Sequence, residues 1–201
     1  MKIIPEALAL AKLQRTSMSE KAIVKSYKQD FMEVSRSLVG NKNPVRTVLD
    51  IGCGIAGWQC FLPEFAHPEI YLIDKTQLDE NLYYGFKAKT SFYNSMEIAK
   101  KNLIANGVPG ESIITQEATD DNMILSDEGV EFDLVVSFIS CGFHYPIETY
   151  LDEIYEKLKK EGVFIVDLRK GTTGLEVTTK KFGNSEIIRE TTTYQRVAFR
   201  K

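Results

Sequence analysis

The stretch TVLDIGCGIAG, residues 47–57, runs an apolar, β-branched segment straight into Gly52, Gly54 and Gly57. Glycines at that spacing let the chain turn sharply and let a ligand approach main-chain atoms that a Cβ would shield. A second strand pattern, EIYLIDK over 69–75, brings Asp74 to its tip, 22 residues beyond Gly52. A carboxylate there can accept both hydrogen bonds of a ribose diol, so the two features together imply a nucleoside-containing cofactor. Asp50, two positions before Gly52, narrows the choice. It would repel a pyrophosphate seated on a helix N-terminus and attract an ammonium or a sulfonium. Bulky Trp58, opening a segment that Pro63 keeps short, also suits the third-glycine packing of dinucleotide sites poorly. Two other readings stand beside this one: an NAD site, and a degenerate domain whose glycines serve only a strand-to-helix turn while Asp50 is solvated or caps a helix.

The elements that must position these residues are legible from Arg46 onward, where short β-branched runs alternate with longer helical patterns. That alternation signals an α/β chain with a parallel sheet covered by helices. Strands are predicted over 46–52, 69–75, 112–117, 132–140 and 162–169, the last nearly all apolar as a doubly covered strand should be. The spacing predicts a helix over about 92–106, with Met96, Ala99, Leu103 and Ile104 as its apolar stripe and Gly107 as its stop. Further helices are predicted over 147–160 and 174–181, and SEIIRET and TYQRVAFRK alternate with period two as an antiparallel hairpin. Ahead of this, PEALALAKLQ opens with a proline suited to a first helical turn. Ile23, Tyr27, Phe31, Val34 and Leu38 then step by 4, 4, 3 and 4 along one helix face, with Ser17 or Ser19 as cap and Gly40 as end. The reading is a helical extension over 1–40 and a cofactor-binding domain over 41–201.

On these motifs the chain, from about Arg46 to Lys201, resembles the class I S-adenosylmethionine-dependent methyltransferases. VLDIGCG matches the family's first motif, Asp74 its ribose-binding acid, FDLVVSFIS its fourth motif, and the final hairpin its reversed ending. The resemblance implies a Rossmann-like, doubly wound sheet of strand order 3-2-1-4-5-7-6 with the seventh strand antiparallel, S-adenosylmethionine as cofactor, and methyl transfer as the activity. It implies that Asp50, Gly52, Cys53 and Gly54 lie around the methionyl part and that Asp74, with Lys75 beside it, holds the ribose. It places Ala118, Thr119 and Asp120 near adenine and Ser137 beneath the methyl donor.

The acceptor is less legible. His144 and Tyr145, in SFISCGFHYP at the mouth of the fourth strand, are the candidate catalytic pair: His144 as general base or hydrogen-bond acceptor for a weakly acidic hydroxyl, Tyr145 as its positioning partner. The bland alternative is that His144 packs against the next helix. Strand four lacks the paired prolines with which amino-methylating enzymes grip a planar nitrogen, and Cys141 lacks the proline that precedes a C5-methylating cysteine. Asp167 and Arg169 end the fifth strand as candidate substrate contacts or as a pair with one another. The segment 76–91, rich in aromatics with Lys87 and Lys89, reads as a lid or as a self-packed insertion. The expected acceptor is a small molecule methylated at oxygen, a sugar or other hydroxylated metabolite. RNA, a protein side chain, or a non-catalytic role as a cofactor-binding partner subunit are the alternatives.

Composition agrees with a folded enzyme-sized domain. The 201 residues carry 25 Lys and Arg against 28 Asp and Glu, a net charge of −3, which gives no global field toward DNA or anionic lipid while leaving room for a local basic patch. Three cysteines, Cys53, Cys60 and Cys141, form no metal-ligand spacing and read as reduced thiols, so no metal is expected. Pro5 and Glu6 interrupt any export signal, and no apolar run is long enough to span a bilayer. A cytoplasmic protein, free of DNA and membrane, with a homodimer as one open assembly, is the expectation.

Overall fold

The structure, a computed structural model, describes residues 1–15, 17–64, 66–75, 94–119 and 129–201. Two helices come first: α1 (Pro5–Gln14), with proline in its first turn, and α2 (Glu20–Ser37), whose N-cap Ser19 accepts the Ala22 amide. Strands β1 (Thr47–Ile51), β2 (Glu69–Asp74), β3 (Ile113–Glu117), β4 (Phe132–Ser137), β5 (Ser140–Tyr145), β6 (Leu158–Arg169), β7 (Glu186–Glu190) and β8 (Tyr194–Arg200) follow. They are interleaved with α3 (Met96–Ile104), α4 (Leu151–Lys157) and α5 (Gly174–Phe182). Seven strands form one sheet in the order β3-β2-β1-β4-β6-β8-β7, parallel except that β8 runs antiparallel to both β6 and β7. With β5 left out of the count this is the 3-2-1-4-5-7-6 order implied by the resemblance.

Alternate residues of each strand feed opposite faces. Val48, Leu72, Leu134, Val136 and Ile165 pack under α2, α3 and the 3-10 turn Gln59–Glu64. Leu49, Ile73, Val135, Phe164 and Val166 pack under α4 and α5. A third cluster, Ile3, Ala7, Ala11, Ile23 and Ile55, joins the two N-terminal helices to the glycine turn itself. Among the described residues no helix is long and apolar enough to cross a membrane.

The structure corrects the sequence reading at several points. The strand expected over 132–140 stops at Ser137, because Ile139 takes a positive φ of 53° and redirects the chain into β5. Strand β6 begins at Leu158, four residues early, with a register irregularity against β4 that Glu161 at φ 63° accommodates. In α3, Ile104 is half exposed and Asn102 takes the buried place. Asn102 donates to the Ile55 carbonyl at 3.1 Å and accepts the Ile4 amide, so a polar residue ties α3 and the N-terminus to the glycine turn. The aromatic segment 76–91, read as a lid or insertion, lies outside the described residues.

Candidate cofactor and acceptor site

The C-terminal tips of β1, β2, β4 and β6 lie on one edge of the sheet, where open α/β folds bind ligands. Each glycine of the turn after β1 is required for a different reason. A Cβ on Gly52, at φ +76°, would sit 2.1 Å from Ser140 Oγ, so this glycine makes room for the first residue of β5. A Cβ on Gly57 would drive into the Tyr27 ring of α2 at 2.5 Å. Only Gly54, at φ +56°, faces open space, with nothing within 4 Å of the added atom. The turn therefore offers a ligand one bare stretch of backbone, at Gly54.

Asp74 borders that stretch. Its Oδ2 accepts the Gly54 amide at 2.8 Å and its Oδ1 accepts the Lys75 amide at 2.8 Å, and the carboxylate keeps acceptor capacity beyond these bonds. Burial pushes its carboxyl up to about 6, although those two amides and the Asn94 side chain pull the other way. Asp50 is placed differently. It is 3% exposed, and its Oδ2 accepts Trp58 Nε1 at 3.0 Å and the Gln59 side-chain amide, so its carboxyl braces the turn from inside. Burial raises it to about 7 against those two donors.

The other candidate residues fall around this centre. Cys53 is buried, its thiol 3.9 Å from Met96 Sδ and raised well above the ordinary range by burial. Lys75 is half-buried, Thr119 is exposed just past β3, and Asp120 lies outside the described residues. Ser137 is fully buried, and its hydroxyl donates to the Ile51 carbonyl at 2.8 Å and accepts the Cys141 amide at 3.1 Å. It stitches the ends of β1, β4 and β5 together beside the Gly52–Ser140 contact. Cys60 and Cys141 are buried free thiols, each pushed up to about 12 by burial.

On β5, His144 and Tyr145 are half-buried, the Phe143 ring meets His144 edge-on at 4.9 Å, and Tyr145 packs against the second core. Burial, and then the nearby Arg169 guanidinium, hold His144 down to about 4, so its imidazole is neutral at physiological pH. Arg169 itself lies over the Phe143 ring. The expected pairing of Arg169 with Asp167 is replaced by another: Arg196 of β8 bonds both Asp167 oxygens, at 2.7 and 2.9 Å, and also reaches Asp30 and Glu33 of α2. Arg189 joins the same carboxylates. Arg196 lies 3.5 Å from the centre of the Phe138 ring, immediately after β4. Sequence reasoning missed this cluster because its partners come from α2, β6, β7 and β8.

Beside β5, Gly142, Phe143, Pro146, Ile147, Glu148 and the loop 171–174 enclose a cavity of about 610 Å³ that Glu176 completes. His67 sits at the start of β2, on the opposite edge of the sheet, and takes no part.

No protein-family model and no curated protein matches the sequence; the likeness to known proteins is structural. The fold is that of the class I S-adenosylmethionine-dependent methyltransferases. A methyltransferase from Pyrococcus furiosus superposes with a TM-score of 0.59 at 16% identity, covering 98% of this chain and 99% of that one. The T. thermophilus 16S rRNA N2 G1207 methyltransferase, solved with AdoMet and guanosine, gives 0.53 at 16% identity over 100% of this chain but only 44% of its own. A precorrin-6y C5,15-methyltransferase from Geobacter metallireducens gives 0.53 at 14% identity over 82% of this chain and 85% of that one. The methyltransferase fold thus serves acceptors as different as a ribosomal RNA base and precorrin-6y.

Proposed function

We propose that this chain transfers the methyl group of S-adenosylmethionine to a hydroxyl of a small acceptor, a sugar or another hydroxylated metabolite. The observation that carries the reading is the cavity of about 610 Å³ on the ligand edge, of small-molecule size and lined by Glu148, Glu176, Thr172 and Thr173, with no lysine or arginine among the described residues. Hydroxyls find acceptors and donors there, whereas an RNA backbone would meet two carboxylates.

The residues fit the cofactor. Gly54 leaves backbone open beside Asp74, whose ionised carboxylate has acceptor sites for a ribose diol. When bound, the cofactor supplies an electrophilic methyl on a sulfonium, already attached to a good leaving group. The protein then chiefly aligns the acceptor oxygen and excludes water. Neutral His144, next to Phe143 of the cavity wall but not itself among the lining residues, takes the proton of an acceptor hydroxyl that extends past that wall as the new carbon–oxygen bond forms; Tyr145, anchored in the second core, holds β5 in place.

Incubation with methyl-tritiated S-adenosylmethionine and a panel of monosaccharides, nucleotide sugars and polyols, with mass spectrometry of the products, tests the reading. It predicts label in a small hydroxylated product. Label confined to RNA or protein would overturn it.

A further inference from the structure

The charges of α2 are sorted by side. Asp30 and Glu33 are buried against Arg189 and Arg196, while Lys21, Lys25, Lys28 and Arg36 are all exposed. At about 100° per residue these four cations and Met32 fall within an arc of about 80°, opposite the buried Ile23, Asp30 and Val34, along a length of about 22 Å. None of the four side chains has an ion pair or hydrogen bond among the described residues. Other lysines do: Lys101 pairs with Glu97, Lys159 with Asp133, Lys170 with Glu190 and Lys181 with Asp152. Lys21, Lys25 and Lys28 also repel one another at helical spacings of four and three, a cost that no neighbouring carboxylate on this face relieves. Two apolar side chains share the ridge: Met32 is 43% exposed and Val39, just past the helix, 77%.

We propose that this ridge docks the protein, peripherally and reversibly, on an anionic lipid surface. The cations point directly away from the protein body along a convex line, a shape that meets a plane and does not wrap a strand. Met32 and Val39 give that line apolar contacts at headgroup depth, which a phosphodiester backbone does not call for. Lys2, Lys12, Arg46, Lys160 and Lys180 are also exposed, but they lie on other elements, and among the described residues only α2 lines four such cations along one face, so orientation on the surface is set by that helix. The inference does not depend on the identity of the acceptor.

Co-sedimentation of the full chain with vesicles of phosphatidylcholine and phosphatidylglycerol in equal parts, against phosphatidylcholine alone, is the test. Each cation near such a surface contributes roughly a fivefold gain in partitioning, so the four together give on the order of several hundredfold. The wild type is expected to sediment with the phosphatidylglycerol vesicles and to be released by salt. The variant K21Q/K25Q/K28Q/R36Q, shown to be folded by an unchanged thermal melt, is expected to lose the preference. No preference for the anionic vesicles, equal binding by the variant, or capture by polyuridylate in place of vesicles would each overturn the proposal.

Discussion

The Gly54 amide donates to Asp74 Oδ2 at 2.8 Å, joining the turn after β1 to the tip of β2. The bond holds Gly54, the glycine of the turn that faces open space, beside the acid proposed to bind the ribose, before any ligand arrives. It also explains why the spacing between the glycine motif and Asp74 carried information: parallel β1 and β2 are neighbours in register, with Ile51 opposite Ile73, so their tips must meet.

The glycines separate structure from binding. Gly52→Ala is expected to cost about 2–4 kcal/mol through its clash with Ser140 and its positive φ, and Ser140→Gly should recover part of that loss. Gly54→Ala meets open space and should cost only about 1–2 kcal/mol of backbone strain while abolishing cofactor binding. Urea titrations and calorimetry on the same proteins distinguish the two.

Asp50 makes stability fall with pH. Its folded-state value of about 7 lies above the ordinary 3.8, so the folded chain holds an extra proton between about pH 4 and 7, and the penalty for ionising it is complete above 7. Asp50→Asn keeps an acceptor for Trp58 and cannot ionise. It is expected to stabilise by about 1–3 kcal/mol at pH 8 and by little at pH 4, read from urea midpoints.

Much of this was legible in the chain and some was not. Strand tips and turns show in local patterns, so the strands themselves and the placing of Asp74 at the tip of the strand after the glycine motif were legible there, while the sheet order came from the resemblance to the methyltransferases. β5 did not, because the break at Ile139 is a single positive φ in a run that is apolar on both sides. The role of Arg196 was hidden for a different reason: its partners Asp30 and Glu33 on α2 are more than a hundred residues away in sequence, and Asp167 is 29 away on another strand. Asp30 and Glu33 carry no local mark of being buried.

Arg196 holds the N-terminal helix to the sheet. Buried, bonded to Asp167, Asp30 and Glu33 and stacked on Phe138, it stays charged: burial opposes this, but the Asp167 and Asp30 carboxylates outweigh it. Arg196→Met would leave buried Asp167 without its cation and Asp30 and Glu33 with Arg189 alone, and a loss of about 3–5 kcal/mol in urea unfolding is expected.

His144→Ala is expected to lower kcat/KM about a hundredfold while leaving affinity for S-adenosylhomocysteine unchanged. Since the imidazole titrates near 4, the wild-type rate should show no His144 limb between pH 6 and 8. Unchanged turnover in the variant would make the residue a packing group.

The most direct measurement is isothermal titration of the purified protein with S-adenosylhomocysteine and, separately, with NAD, alongside Asp74→Asn. The account predicts micromolar binding of S-adenosylhomocysteine alone, weaker as pH falls below about 6 where Asp74 takes up its proton, and reduced by about 1–3 kcal/mol in the variant. Absence of binding, or equal affinity of wild type and Asp74→Asn, would contradict it.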